Sequence, residues 1–362
     1  MENKLQTVAV AMSGGVDSSV AAALLVEQGY NVIGLMLRLW SEPGKESLNK
    51  CCTPDAMAQA RKVAAHIGIP FYAVNAQQIF KDVVVDYFLQ EYSEGLTPNP
   101  CLMCNRHIRW GFLLDYALSL GADKFATGHY AQTRVSPDGK VELLKGIDDQ
   151  KDQSYVLSVL SQDQLSRTMF PVGAYTKPEI REKAVKFGLS VASRQESQDL
   201  CFLAGRDYRQ FLANHAPKSI EPGKIVDVNE KIIGEHQGLG FFTVGQRKGL
   251  GIFDSKPLYV IGKRKADNVL IVGDESQLGQ NALEARQINW IAGGPPAQAF
   301  RALVKIRYKA AYVQGNIHCV DLEQVLVKFD KPLRDITPGQ RVVFYQDDKA
   351  LGGGFITRSF ND

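Results

Sequence analysis

Seven consecutive residues near the start of the 362-residue chain, Ser13, Gly14, Gly15, Val16, Asp17, Ser18 and Ser19, combine two tightly turning glycines with three hydroxyls. They follow the apolar run Thr7 to Met12 and lead into a helical pattern from Ser19 to Gln28. A loop so placed gathers bare N–H groups and the positive end of a helix at one point, which makes a pyrophosphate cradle. The lysine and spacing of the Gly-x4-Gly-Lys-Ser/Thr nucleotide loop are missing here and elsewhere in the chain. Asp17 would be repelled by a polyphosphate unless it helps to hold Mg2+ or orients the phosphates. A second segment, Thr97 to Asn105, sets Cys101 and Cys104 in a proline-stiffened loop just before a helix, where a thiol ionises more readily. The third, Ser197 to Phe202, carries Cys201 nearly a hundred residues later. A closed zinc site needs four ligands, and no second Cys-x2-Cys or matching His pair is present. Cys51 and Cys52 read as surface thiols in a loop, and Cys319, in a β pattern, as core.

These segments need a frame to hold them. Apolar runs alternate with helical patterns from Thr7 onward: Asn31 to Trp40, Pro54 to Ile67, Phe71 to Asn75, Ile108 to Leu120 and Lys124 to Thr127. Strands alternating with helices imply a Rossmann-like parallel sheet with right-handed crossovers and ligands at its C-terminal edge, where Gly128 and His129 follow a strand. After about Arg206 the texture changes to short β-rich runs: Lys224 to Ile233, Leu258 to Lys263, Val269 to Val272, Phe300 to Tyr308, Gln324 to Phe329 and Arg341 to Tyr345. Such runs, parted by Gly, Pro, Asn and Asp, suggest small barrels. The expected fold is α/β: a sheet domain over 1–208, a small central β-rich domain over 209–277 and a C-terminal β-barrel over 278–362.

At 45% hydrophobic residues the chain can build two or three ordinary cores. The net charge of +3 is unevenly spread: from Arg206 onward 22 Lys and Arg face 17 Asp and Glu, a net of +5, against −2 before it. A basic C-terminal half suits a polyanion, or merely a solvated lysine-rich surface. No signal-peptide pattern or bilayer-length apolar stretch appears, so no membrane is expected and the cytoplasm is the expected setting, where scattered cysteines read as chemistry rather than as a disulfide scaffold.

The segment Ser13 to Ser19 resembles the pyrophosphate loop of the N-type ATP pyrophosphatases, which cleave ATP between its α- and β-phosphates and adenylate a substrate oxygen. That resemblance implies ATP contacts along Ala11, Met12, Ser13, Gly14, Gly15, Val16, Asp17 and Ser18, with the adenine edge on main-chain groups of Gly34 to Leu37. It also implies a close approach of ATP at Gly128. With Thr97-Pro98-Asn99-Pro100 leading to a cysteine and a distant cysteine before Phe202, the whole chain resembles the bacterial tRNA-specific 2-thiouridylases. Further matches in order are Lys151 to Tyr155, Gly234 to Gly238, Gly245 to Gly251, Arg307 with Tyr308, and Gly352 to Gly354.

By that resemblance, Cys201 would carry a persulfide delivered by a donor such as a cysteine desulfurase or a sulfur-relay protein. Cys104 would attack it and release the sulfur, leaving a Cys104–Cys201 disulfide to be reduced. Cys101 stands where some members have an aspartate. Three thiols, Cys101, Cys104 and Cys201, could instead hold three irons of a [4Fe-4S] cluster. The resemblance further implies contacts to the anticodon loop of tRNA from Asn99, Pro100 and Cys101 along the base, from Lys151, Asp152 and Gln153, from Arg307 and Tyr308 on a strand, and from Gln340. His129 reads as a further tRNA or substrate contact, or as a core histidine, and Arg247 and Lys248 as phosphate contacts. The C2 carbonyl of uracil is a poor electrophile, so ATP would turn its oxygen into a leaving group on a base captured from the single-stranded loop. Two other readings keep the nucleotide loop: amide synthetases or argininosuccinate and lysidine synthesis on another acceptor, which leave the cysteines idle, and a non-catalytic RNA-binding or sulfur-carrier module whose nucleotide site is only structural.

Overall fold

The computed structural model describes residues 5–44, 53–195, 200–203, 205–217, 220–252 and 256–362, so Cys51, Cys52 and the stretch Ser197 to Asp199 lie outside the described residues. Strands β1 (Thr7–Ala11), β2 (Asn31–Arg38), β3 (Phe71–Asn75) and β4 (Lys124–Thr127) form a parallel sheet. With β7 (Thr168–Met169) its order is β3-β2-β1-β4-β7. Helices α1 (Val16–Glu27) and α2 (Pro54–His66) are the crossovers β1 to β2 and β2 to β3. The central strand β1 is buried on both faces, with Val8, Ala9 and Val10 fully enclosed, as its unbroken apolar run requires. Because β1 pairs with β2 on one side and β4 on the other, the strand order reverses there, and a crevice opens at the C-terminal ends of β1 and β4.

A hairpin, β5 (Ala131–Val135) and β6 (Val141–Lys145), leaves this sheet domain and joins another sheet altogether. That sheet is the barrel of β12 (Gln280–Trp290), β13 (Ala299–Lys305), β14 (Val313–Cys319), β15 (Gln324–Leu333), β16 (Arg341–Gln346) and β17 (Lys349–Phe360). Its order β12-β15-β14-β13-β16-β17 closes through β12–β17, and β6 adds to the outer reach of β17 with Lys349 opposite Leu144. Between the two units a four-stranded sheet of order β10-β11-β8-β9 is built from β8 (Gly223–Val226), β9 (Ile232–His236), β10 (Tyr259–Arg264) and β11 (Val269–Gly273). Two expected runs differ in detail. Lys224 to Ile233 is two strands joined by a turn, with Glu230 at φ 64°, and the run from Phe300 ends as a strand at Lys305, so Arg307 and Tyr308 stand in the β13–β14 turn and not on a strand.

The seam between sheet domain and barrel is hydrogen-bonded as well as apolar. Arg341, fully buried on β16, donates to Ser158 Oγ at 2.8 Å, to the Ser158 carbonyl at 3.2 Å and to the Gly353 carbonyl at 2.6 Å. Tyr155 donates back to the Arg341 carbonyl at 2.7 Å. Among the described residues no helix is long and apolar enough to cross a membrane.

Candidate functional site

The loop between β1 and α1 leaves its helix end without a side-chain cap: Gly15 takes the cap position and makes no such bond. Ser19 N–H is the first to close a helical turn, onto Gly15 O at 3.3 Å, so the N–H groups of Val16, Asp17 and Ser18 are left for a ligand. Ser13 N–H donates to Ser18 Oγ at 3.1 Å, and the Ser13 and Ser18 hydroxyls sit 3.2 Å apart at the same mouth. Gly14, at φ +70°, lies so close to α2 that a Cβ would stand 2.3 Å from the Ala56 carbonyl. Met12 is buried, Ala11 half-buried, and Leu37 sits on the neighbouring strand β2 with its backbone opposite Val74. At Gly128 a Cβ would fall 2.5 Å from Ser18 N, so the missing side chain lets the end of β4 ride on the first turn of α1.

Asp17 is met by two partners, both on Oδ1. Tyr130 Oη donates at 2.8 Å and Lys177 Nζ at 2.6 Å, leaving Oδ2 with its lone pairs for a cation such as Mg2+. Lys177 is 8% exposed and reaches the loop from far along the chain. It escaped the sequence analysis, although one signal was there. Lys177 opens the helix Lys177–Lys186, where Glu179 reaches back to the Thr176 N–H at 2.7 Å, and a cation at a helix start opposes the dipole unless something else holds it. Gln153 completes the shell by bonding both the N–H (3.0 Å) and, through its own N–H, the carbonyl (2.8 Å) of Tyr130.

Asn99 caps the helix that carries the cysteines, its Oδ1 accepting from Cys101 N–H at 3.2 Å, with Pro100 in the first turn. Cys101 is exposed in that turn, whereas Cys104 lies one turn further in, 8% exposed, at the head of a ten-residue π-helical stretch, Cys104–Leu113. The helix-end argument for an acidic thiol therefore applies to Cys101 and not to Cys104, since the dipole's effect fades within the first turn. Cys104 and Cys201 share one apolar cluster with Phe88, Phe202 and Phe211. Among the described residues no group of three His, Cys, Asp or Glu side chains is placed to hold a metal ion. Cys319 is buried in the barrel.

The π-helical stretch is tied to the sheet edge through a buried polar chain. Asn105 donates to the Val156 carbonyl at 3.0 Å and accepts from Arg109 at 2.9 Å. Arg109 also donates to His129 Nε2 at 3.1 Å, and His129 Nδ1 meets Thr127 Oγ1 at 2.8 Å. An accepting Nε2 puts the ring proton on Nδ1. Burial, with the Arg109 guanidinium second, holds the imidazole well below its ordinary pKa. Both ring nitrogens of His129 are thus occupied and its ring packs on Trp110, so from a buried position it braces Arg109.

The loop before the cysteines docks where all three units meet. Thr97 N–H donates to the Pro338 carbonyl at 3.1 Å, Gln340 Nε2 donates to the Thr97 carbonyl at 2.6 Å, and the hydroxyls of Thr97 and Thr243 lie 3.5 Å apart. Arg307 is half-buried beside this junction, donating to the Val244 carbonyl at 3.0 Å and to Thr337 Oγ1, with Asp335 at 3.5 Å. Tyr308 packs near Tyr155, their ring centres 6.1 Å apart. Lys151 is half-buried, and Asp152 is buried, its carboxylate filled by the N–H groups of Gly146 and Ser154 and the hydroxyls of Ser154 and Tyr312. An Asp152 so enclosed shapes its loop from within. Arg247 and Lys248 are exposed on the central unit.

A parallel-sheet domain with an uncapped phosphate loop at its switch point, followed by two β units, defines a nucleotide-binding type of α/β protein with appended β domains. The family described as "tRNA methyl transferase HUP domain" matches residues 6–205, the companion "PRC-barrel domain" 209–274 and an "Aminomethyltransferase beta-barrel domain" 280–356. Among relatives, the tRNA-specific 2-thiouridylase MnmA of Chloroflexus aurantiacus is 47% identical over 357 residues, 98% of this chain and 99% of that one. Those of Carboxydothermus hydrogenoformans (46%, 97% of each chain) and Heliobacterium modesticaldum (47%, 98% of this chain and 94% of that one) are as similar. The chain belongs to the tRNA-specific 2-thiouridylase family.

Proposed function

We propose that this protein converts a uridine at the wobble position of tRNA into 2-thiouridine, using ATP to activate the C2 oxygen and a cysteine persulfide as the sulfur source. What supports the reading is that Cys104 and Cys201, nearly a hundred residues apart, belong to one apolar cluster of a chain that is similar over its whole length to the 2-thiouridylases. ATP lies with its phosphates on the bare first turn of α1 and the Ser13 and Ser18 hydroxyls, and its adenine along β2 near Leu37. Mg2+ held by Asp17 Oδ2 would offset phosphate charge, and Lys177 faces the same phosphates from the other side of Asp17. The uracil C2 oxygen attacks the α-phosphate, pyrophosphate leaves, and the O-adenylated base becomes an electrophile.

Sulfur then arrives from the protein. A Cys201 persulfide is attacked at its inner sulfur by the Cys104 thiolate, a Cys104–Cys201 disulfide forms, and the hydrosulfide so released adds to C2 and expels AMP. A cytoplasmic thiol reductant restores the two thiols, and a cysteine desulfurase or relay protein reloads Cys201. Asn99, Pro100 and Cys101 line the captured base, while Lys151, Gln153, Arg307, Tyr308 and Gln340 hold the anticodon loop. Incubating unmodified tRNA with ATP, Mg2+ and a persulfide donor should give 2-thiouridine with wild type and none with Cys104→Ala or Cys201→Ala. Both variants should still bind ATP and tRNA. Full thiolation by either variant would sink the sulfur route, and release of AMP without any thiolated base in the wild type would point to another acceptor.

A further inference from the structure

Two lysines that no step above uses share the ring of Tyr312. Lys145, the last residue of β6, holds its ammonium 4.0 Å from the ring centre and 5.3 Å from that of Tyr345. Lys305, the last residue of β13, holds its own 4.7 Å from the Tyr312 ring and 5.9 Å from the Tyr308 ring. Lys305 is 7% exposed, yet among the described residues its ammonium has no hydrogen-bond or ion-pair partner, and neither has that of Lys145. An ammonium carries three donors and gives up strong hydration when enclosed, and ring faces replace only part of it. The neighbouring carboxylate is not the missing partner: Asp152 is saturated by four donors, one of them Tyr312 Oη at 3.2 Å, and so fixes the ring that both cations flank. Burial and the repulsion of Lys145 both press the Lys305 ammonium toward losing its proton, against the pull of Asp152 and Asp149.

We infer that Lys145, Lys305 and Tyr312 form an anion seat at the seam between the β5–β6 hairpin and the barrel, and that it takes a backbone phosphate of single-stranded RNA. A phosphodiester supplies acceptors to both ammoniums at once, and tyrosine faces beside a cation pair suit a polymer that carries bases next to its phosphates. The inference rests on the proposed tRNA substrate. Its test is the affinity of the full chain for an unmodified tRNA transcript as a function of KCl, for wild type, Lys145→Met, Lys305→Met and Lys305→Arg, with thermal midpoints recorded alongside. Each Met variant should weaken binding about tenfold at moderate salt and lower the slope of log Kd against log salt by about 0.7–0.9, the release expected for one phosphate contact. Lys305→Arg should keep the wild-type slope. Met variants with an unchanged slope and an unchanged or raised midpoint would overturn the seat and leave the thiolation reading intact, whereas a wild type that does not bind tRNA would overturn both.

Discussion

At the scale of single residues the site is organised by pairs that no local spacing announces. Asp17 could be picked out because it sits among the glycines and serines of its own loop, and the cysteines because of their Pro-framed setting. Lys177 was marked only as a cation at a helix start, since the contact that gives it meaning spans 160 positions and depends on how a late helix packs beside α1. His129 makes the same point with a measurable sign. Its imidazole stays neutral when folded well below the value near 6.5 at which the unfolded chain protonates, so between these limits the unfolded state binds more protons and stability falls as pH drops below about 6.5. The urea midpoint should therefore decline from pH 7 to pH 5, and His129→Gln should decline less steeply. His107 and His236, also pushed down by burial, keep part of the slope in that variant. Equal slopes for wild type and variant would show that the ring is not held neutral.

Among elements, the decisive contact is between the end of β4 and the start of α1. Strand and helix were each legible from their apolar patterns, but their separation was not, because closeness of two backbones leaves no mark except a glycine. Gly128→Ala would press a methyl onto Ser18 N and Asp17 C, inside 2.7 Å of both, and push the first helical turn out of line. The expected result is a KM for ATP raised at least about tenfold with tRNA affinity within about twofold of wild type, measured by initial rates and by filter binding. The π-helical stretch Cys104–Leu113 was equally hidden: its hydrogen bonds skip one residue more than an α-helix, and ten residues are too few for the apolar period to betray the change. The consequence is local, since the wider turn brings Asn105 and Arg109 onto the buried chain that ends at His129.

For the whole molecule, the expected α/β sheet and β-barrel are there, while the fusion of the two through a hairpin was invisible to a reading that runs along the chain. Short, mixed strands such as Ala131–Val135 carry no signal for which sheet they will join. Arg341 is the clearest polar fastener of that union, a buried guanidinium whose pKa falls to about 10 because burial disfavours its charge. Arg341→Met should lower stability by about 2–4 kcal/mol, because the Ser158 and Gly353 carbonyls lose a charged donor inside the protein. Urea unfolding followed by tryptophan fluorescence would show it, and an unchanged midpoint would mean that apolar packing alone holds the seam.

The hairpin β5–β6 also sets an order of events during synthesis. Its outer strand leaves the ribosome about 200 residues before the stretch of β17 that pairs with it, at Lys349 and Ala350. At translation rates of about 5–20 residues per second, β6 presents an open edge for roughly ten to forty seconds. The nascent sheet domain therefore keeps an unpaired edge until β17 arrives to cover it.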